Sequence, residues 1–428
     1  MTLLDALYIP AALLSAPVWA LKKRAGWRGR FGHASLKPPT SGKPRVLLHA
    51  VSVGEVMSLR GVVPLLTPCA DVVVSTTTDK GWETANKLFA ATCSVVRYPI
   101  DLSWCVNRFL DAVRPNVVAL TEGDAWPQFL RACASRRIPC GLISARVSER
   151  TFTRYRRLAS WGIKPAWRGV DFIAAQDETY SQRFEQLGMD GNRVFIAGCL
   201  KWDAEPVVRT VEGADALARD MGIDRSRPLI VAGSTAEREE SLLFRSLPAG
   251  AQLLCAPRKP EYFDAAAAQL PGCVRRSKPG SGDPSSRLFL LDSIGDLRRA
   301  YALADVVVLG RSFGTLSGSN PIEPAALGKP VIIGPRFGDF ESIVGALRSA
   351  GALRVAPADG LADALRKVLS DPELRELMGQ AGQACVESNR GCAQVHAEFI
   401  MGAARTRTPM YSEDVRSPER GNRIPVRA

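Results

Sequence analysis

The chain has 428 residues, 46% of them hydrophobic and 23% charged, and a net charge of +13; that length exceeds what one core usually supports, and the balance excludes a largely disordered chain. Ten cysteines without a CxxC pair, most in or beside apolar runs, read as reduced thiols of a cytoplasmic body, and with only three histidines they argue against a zinc site. No nucleic-acid module is recognisable and the basic residues are not interleaved with aromatics, so no nucleic-acid partner is expected.

The first element in chain order is the apolar run 6–21, ALYIPAALLSAPVWAL. It is shorter than the roughly 20 residues of a comfortable bilayer span, and Asp5, Pro10 and Pro17 weaken a straight helix. A basic cluster follows at once: Lys22, Lys23, Arg24, Arg28, Arg30, Lys37, Lys43 and Arg45. This order of apolar and basic residues is the reverse of a signal peptide. An N-terminal membrane anchor over residues 1–31 is therefore expected. It either spans once with its basic side inside or lies in the interface, and both leave the body in the cytoplasm. The plainer alternative is a helix buried against the protein's own surface. The basic cluster suits an anionic membrane surface, or else is a solvated face.

After the linker 32–44 come short apolar runs separated by longer amphipathic stretches, the pattern of repeated βα units. Strands are expected at 45–51, 71–76, 116–122, 138–144, 171–176 and 193–198, and again at 227–233, 251–256, 287–292, 305–310, 329–333 and 352–356. Strands this apolar are buried on both faces, which calls for parallel sheets covered by helices. The series breaks near 204–226, so two α/β Rossmann-like, doubly wound domains are expected over 32–204 and 205–402, with a disordered tail at 403–428. Ligands of such sheets bind beyond the carboxyl ends of the strands, and two such domains imply an interdomain cleft as the active site.

In the first half, His49-Ala-Val-Ser52-Val-Gly54-Glu55 carries a carboxylate just past the first strand, where it can take a proton from an attacking hydroxyl. The plain reading of Glu55 is an acid that complements a helix start. Further on stand Ser75-Thr-Thr-Thr78 with Gly81-Trp82, Tyr98-Pro-Ile-Asp101, Glu122-Gly-Asp124-Ala-Trp126-Pro127 and Ser144-Ala-Arg146-Val-Ser148. Glu122 closes a strand, and its plain reading is a loop or capping acid; Trp126 reads as core packing. In Gly198-Cys-Leu-Lys201-Trp-Asp203, Lys201 either meets an anionic substrate or bridges to Asp203 or another acid.

In the second half, Ala232-Gly-Ser-Thr235 opens onto Glu237, Glu239 and Glu240, a small-residue turn whose backbone N–H groups can approach a phosphate. Pro257-Arg258-Lys259-Pro260-Glu261 stands at the end of the next strand. Then come Gly295-Asp296-Leu297 with Tyr301, Gly310-Arg311-Ser312, and Gly318-Ser319-Asn320-Pro-Ile-Glu323-Pro324 followed by Gly334-Pro335. Gly and Ser allow tight turns, helix-start amides receive a phosphate, and Glu323 can accept from both ribose hydroxyls, which suits a nucleotide.

Taken in order, these motifs resemble those of the 3-deoxy-manno-octulosonic acid (Kdo) transferases, over about residues 45–395. The resemblance implies a GT-B fold of two Rossmann-like domains facing a cleft. It also implies an inverting glycosyltransferase with CMP-Kdo as donor and a lipid A precursor as acceptor, acting in lipopolysaccharide biosynthesis at the cytoplasmic face of the inner membrane without cofactor or metal. It makes Glu55 the general base and gives Glu122 a catalytic place beside it, touching the acceptor or orienting the base. Ser52, Gly54 and Lys201 fall to the acceptor; Arg258, Gly295, Asp296, Ser312, Ser319, Asn320 and Glu323 fall to the donor, with Arg258 pairing with the phosphate or the base of CMP. The chain departs from the family pattern at Asp124 (an acid shortened from Glu), Lys259 (for His), Asp296 (for Glu), Arg311 and Ser317 (for Gly) and Ser319 (for His). Those departures leave two rivals open, a GT-B transferase with another nucleotide-sugar donor and a noncatalytic nucleotide-sugar-binding protein; within the family reading, Arg311 can supply the positive charge missing with the histidine.

Overall fold

The computed structural model describes Asp5 and residues 25–38, 42–123, 126–159, 161–162, 164–236, 238–278 and 285–406. The chain divides into two compact units, Met1–Ala204 with Gly391–Ala428, and Glu205–Arg390.

The first unit is built on a seven-stranded sheet of β1 (Arg45–Ala50), β2 (Asp71–Thr76), β3 (Ser94–Arg97), β4 (Val117–Thr121), β5 (Cys140–Ala145), β6 (Phe172–Ala175) and β7 (Val194–Ile196), in the order β3-β2-β1-β4-β5-β6-β7. Every neighbouring pair is parallel. Successive residues of one strand enter opposite cores, as the twofold alternation of a strand requires: Leu47, Val73, Val118 and Leu120 pack on one face, Val46, Leu48, Val72, Val74, Val117 and Ala119 on the other. Burial on both faces is why these runs are continuously apolar.

The second unit repeats the plan with β8 (Leu229–Thr235), β9 (Gln252–Pro257), β10 (Val274–Arg275), β11 (Leu288–Leu290), β12 (Val306–Leu309), β13 (Val331–Ile333) and β14 (Leu353–Val355), ordered β10-β11-β9-β8-β12-β13-β14 and parallel throughout. In each sheet the chain starts in the middle, winds to one edge, and then crosses to the other side. Strand order therefore reverses between β1 and β4 and between β8 and β12. Such reversals open a crevice at the carboxyl edge, since the loops leave in opposite directions.

Residues 391–402, expected to close the second domain, belong to the first unit. The helix Cys392–Thr406 buries Ala393, Ala397, Ile400, Ala403 and Ala404 in the core that holds Val46, Leu48 and Ala119. Its start is capped by Asp203, whose carboxylate accepts from the N–H of Gly391 and of Ala393, each at 2.7 Å. The helix also runs into the stretch expected to be a disordered tail; the remainder, 407–428, lies outside the described residues.

The expected anchor segment, 6–21, likewise lies outside the described residues, and among the described residues no helix is long and apolar enough to cross a membrane. Residues 25–31, expected to be juxtamembrane, are part of the first unit's fold. Arg30 is 4% exposed and pairs with Asp79 at 3.1 Å, and Arg30 O accepts from Ile100 N at 2.8 Å. Most of the described basic cluster is spent the same way. Arg45 pairs with Asp71 at 2.7 Å, Lys37 donates to Ala90 O and Ala91 O, and Lys43 donates to Thr67 O. Among its described members only Arg28 lacks such a tie.

Candidate active site

At the β1/β4 reversal, β1 runs out into Val51-Ser52 and the helix Val53–Ser58 begins, with Ser52 at its cap position and Glu55 in its first turn. Glu55 turns back over this start and is 7% exposed. Its Oε2 accepts from Val51 N at 2.9 Å and from Thr121 Oγ1 at 2.6 Å, and its Oε1 accepts from Ser52 Oγ at 2.8 Å. The acid thus serves the helix start, as its plain reading holds, and it is also tied across the reversal to the end of β4. Ser52 stands beside it, while a Cβ on Gly54 would meet nothing closer than Ser52 Oγ at 3.9 Å, so this face of the turn is open.

Several motif residues build the floor of this turn. Thr78 Oγ1 donates to Val51 O at 2.9 Å, and a Cβ on Gly81 would come within 2.7 Å of Thr78 Oγ1, so glycine lets the helix Asp79–Phe89 close against the turn. His49 is fully buried, stacked on Tyr98 with centroids 3.8 Å apart, and its Nδ1 meets Ser75 O at 3.2 Å; burial, against that bond, holds the imidazole down to about 3, which keeps it neutral. Asp101 caps the helix Pro127–Ser135 through Gln128 N and Phe129 N. Burial pushes its carboxyl up to about 6, opposed by the two amides and abetted by Asp5. Trp126 packs against the core beside Tyr98, as expected.

Glu122 closes β4 in the left-handed region, φ 58°. Its carboxylate is clasped by Arg146 Nε at 2.5 Å and Lys201 Nζ at 2.6 Å. Burial alone would push this acid up, but the two cations together outweigh it and hold the carboxyl at about 2. Lys201 thus bridges to an acid, and that acid is Glu122 rather than Asp203. Ser144, at φ 47°, joins the same edge by accepting from Leu200 N at 3.2 Å, which ties the loop after β5 to the Lys201 segment. Asp124 lies outside the described residues.

At the β8/β12 reversal, the strand ends approach so closely that a Cβ on Gly310 would lie 2.6 Å from Thr235 Cα. Four backbone N–H groups converge here, from Ala236 (3.0 Å), Arg311 (2.7 Å), Ser312 (2.9 Å) and Phe313 (3.1 Å), and all four donate to the buried carboxylate of Glu239. Burial pushes the Glu239 carboxyl up while the amides pull it back. Ser312, expected to hold the donor, has no free group to offer: it is fully buried, donates to Leu309 O at 2.6 Å and accepts from Gly334 N at 2.8 Å, pinning β12 to the end of β13. Asp296 is engaged too, by Ser293 Oγ at 2.7 Å, Arg299 at 2.8 Å and Arg276 at 3.7 Å; Gly295 beside it, at φ 105°, has open space around its Cβ direction.

The other expected donor residues do converge. Arg258 follows β9 and is exposed, and its guanidinium is held below its usual value by desolvation and then by the charge of Arg311, with Tyr301 and Glu323 pulling the other way. Glu323, half-buried, makes no hydrogen bond or ion pair among the described residues; burial, and then Glu205, push its carboxyl up to about 7 against the pull of Arg298 and Arg258. Asn320 Oδ1 accepts from Ile322 N at 3.1 Å, which shapes the turn before Glu323. Ser319 is 7% exposed with a buried hydroxyl that has no partner among the described residues. Tyr301 is buried beneath Gly233, where a Cβ would collide with its hydroxyl. Lys259 points elsewhere, paired with Glu261 at 3.7 Å.

Sequence reading assigns no role to Thr121, Arg146 or Glu239, and offers Arg311 only as a source of positive charge. Arg146 and Glu239 lie inside recognised motifs, but nothing local says which acid or amide they meet. Backbone strain was equally invisible: Glu122, Ser144, Ser234 and Arg311, all non-glycine, take positive φ at the exits of β4, β5, β8 and β12. Such strain concentrates where side chains must be aimed for function. Among the described residues no group of three or more His, Cys, Asp or Glu is placed to hold a metal ion.

Comparison with known proteins gives the following. Residues 25–204 match the family described as "3-Deoxy-D-manno-octulosonic-acid transferase (kdotransferase)", and residues 285–384 match "Glycosyl transferases group 1". A 3-deoxy-D-manno-octulosonic acid transferase of Haemophilus influenzae is 30% identical over 86% of this chain and 88% of its own. One of Bordetella pertussis is 31% identical over 90% of this chain and 94% of its own. Among solved structures, a glycosyltransferase from Rickettsia africae covers 85% of this chain and all of its own with a TM-score of 0.58 and 12% identity. That likeness concerns fold alone, a two-domain α/β GT-B-like architecture.

Proposed function

Since the chain belongs to the 3-deoxy-D-manno-octulosonic-acid transferase family, and so is a glycosyltransferase, we propose that it moves Kdo from CMP-Kdo to a lipid A precursor in lipopolysaccharide biosynthesis. The reaction is an inverting displacement. The acceptor hydroxyl oxygen attacks the anomeric carbon of Kdo, the bond from that carbon to the phosphate oxygen breaks, CMP departs with the electron pair, and Glu55 takes the hydroxyl proton. The observation that carries this reading is the Glu55 carboxylate, held at a sheet reversal by three donors with the open turn of Ser52 and Gly54 beside it. Ser52 Oγ already donates to Oε1, which is how an acceptor hydroxyl would engage this carboxylate before losing its proton.

The second unit serves the donor. Arg258 meets the phosphate, Glu323 accepts from the ribose hydroxyls, and Ser319 and Asn320 line the turn between them; Gly295 and Asp296 border it. Lys201, held with Arg146 on Glu122, offers positive charge to an anionic acceptor, and the triad fixes the wall next to the base. The mechanism requires the Glu55 carboxylate and the donor to meet when both substrates are bound. An acceptor that cannot leave the membrane gives a purpose to the apolar segment 6–21 and the basic residues Lys22, Lys23 and Arg24 after it, which keep the enzyme at the anionic inner-membrane surface on its cytoplasmic face. The division proposed for the second domain is 205–390, since the last helix is part of the first.

The test is incubation of the full chain with CMP-Kdo and a lipid A precursor, followed by mass analysis of the lipid and assay of the released nucleotide. A mass gain of one or more Kdo units with matching CMP release is expected. A product formed only with a UDP-sugar, or no product from any donor, would refute it.

A further inference from the structure

At the carboxyl edge of the second sheet, Arg258 follows β9 and Arg311 follows β12, on either side of β8. Neither guanidinium makes a hydrogen bond or ion pair among the described residues, and the two are close enough that the charge of one disfavours the charge of the other. The nearby acid, Glu323, has its carboxyl pushed up to about 7 by burial and compensates them only in part, so like charges held together here are a cost to the unliganded fold and an asset to an anion.

The backbone at Arg311 points the same way. Its φ of 61° is in the left-handed region, where a Cβ is strained and glycine is not. The fold therefore tolerates strain to carry a long cationic side chain at a place where glycine would fit better. The amides of the same loop cannot do its work, because those of Ala236, Arg311, Ser312 and Phe313 are already donated to Glu239. An anion arriving here meets a nest that an internal carboxylate has neutralised, so its recognition falls to side chains. Finally, Gly318 N donates to Arg311 O at 2.8 Å, folding the loop back so that Ser319, with its buried and unpartnered hydroxyl, follows directly.

We propose that Arg311 is a donor-specificity residue which, with Arg258, grips the anionic part of the nucleotide sugar, either its phosphate or the carboxylate of its sugar. This deepens the transferase reading and rests on it. Calorimetry with cytidine, CMP and CMP-Kdo on the wild-type protein, Arg311→Gly and Arg311→Lys, together with thermal unfolding, tests the assignment. Arg311→Gly is expected to melt at or above the wild-type temperature, because glycine relieves the strain, and yet to bind CMP about tenfold more weakly with cytidine unaffected. Arg311→Lys, which keeps the charge but not the fork, falls in between. If CMP-Kdo alone is weakened, the sugar carboxylate is the group held and the assignment stands. Wild-type affinity of Arg311→Gly for both nucleotides, or a lower melting temperature marking the arginine as structural, overturns it while leaving the transferase reading intact. Failure of the wild-type protein to bind either nucleotide overturns both.

Discussion

Glu323 shows how a single side chain reports on its surroundings. The folded protein holds its carboxyl at about 7 instead of the ordinary 4.5, because burial and Glu205 disfavour charge more than Arg258 and Arg298 favour it. The folded state thus keeps a proton that the unfolded chain releases, so this group's contribution to stability falls as pH rises from about 4.5 through about 7. In the proposed donor site nucleotide binding has the opposite sign, since ribose hydroxyls would donate to the ionised form. Affinity for cytidine, which carries no titrating phosphate, is therefore expected to strengthen as pH rises through about 7, and Glu323→Gln to flatten that dependence. Isothermal titration across that range decides it; a wild-type profile without an inflection would remove Glu323 from the ribose. Glu122 is the counterexample, an acid whose two cations hold it ionised at about 2 and leave it little capacity to exchange a proton near neutrality.

At the scale of elements, the loops at the sheet reversals work because their strand ends approach closely. Gly310 is one place where this is demanding, since the obstacle to a Cβ is the backbone of Ser234 and Thr235 and not the movable end of a side chain. Gly310→Ala is expected to destabilise the protein by about 2 kcal/mol and to weaken CMP binding, measured by denaturant unfolding and titration. A neutral effect would mean that β8 and β12 can part without cost. The same element-level physics sets what the sequence discloses. Each of the expected strands meets an observed one because burial on both faces writes a continuous apolar run, whereas β3 (Ser94–Arg97) and β10 (Val274–Arg275) are too short and polar-flanked to stand out. The last helix is expected in the second unit and lies in the first, because its buried face is mostly alanine, which in sequence does not say which core it joins. Acids near a strand end stand out in the sequence, but their partners do not: the hydroxyl of Ser312, which reads as a ligand contact, pins β12 to the end of β13, while Glu239 reads as one acid among several and fills the amide nest.

For the whole molecule, the proposed labour is divided between two units, a proton acceptor on the first and an anion and ribose site on the second. The chain returns from the second unit to the first at Gly391, so the last helix ties both ends of the transit to one core. The proposal predicts that the two capacities are separable by mutation. Glu55→Gln should remove the base while leaving the second unit untouched, because its partners Val51, Ser52 and Thr121 all belong to the first. The most direct measurement is therefore Kdo transfer and CMP binding by the same preparation of Glu55→Gln. The expected result is unchanged CMP affinity with transfer reduced by about 100-fold or more; transfer at the wild-type rate would mean that this carboxylate is not the base.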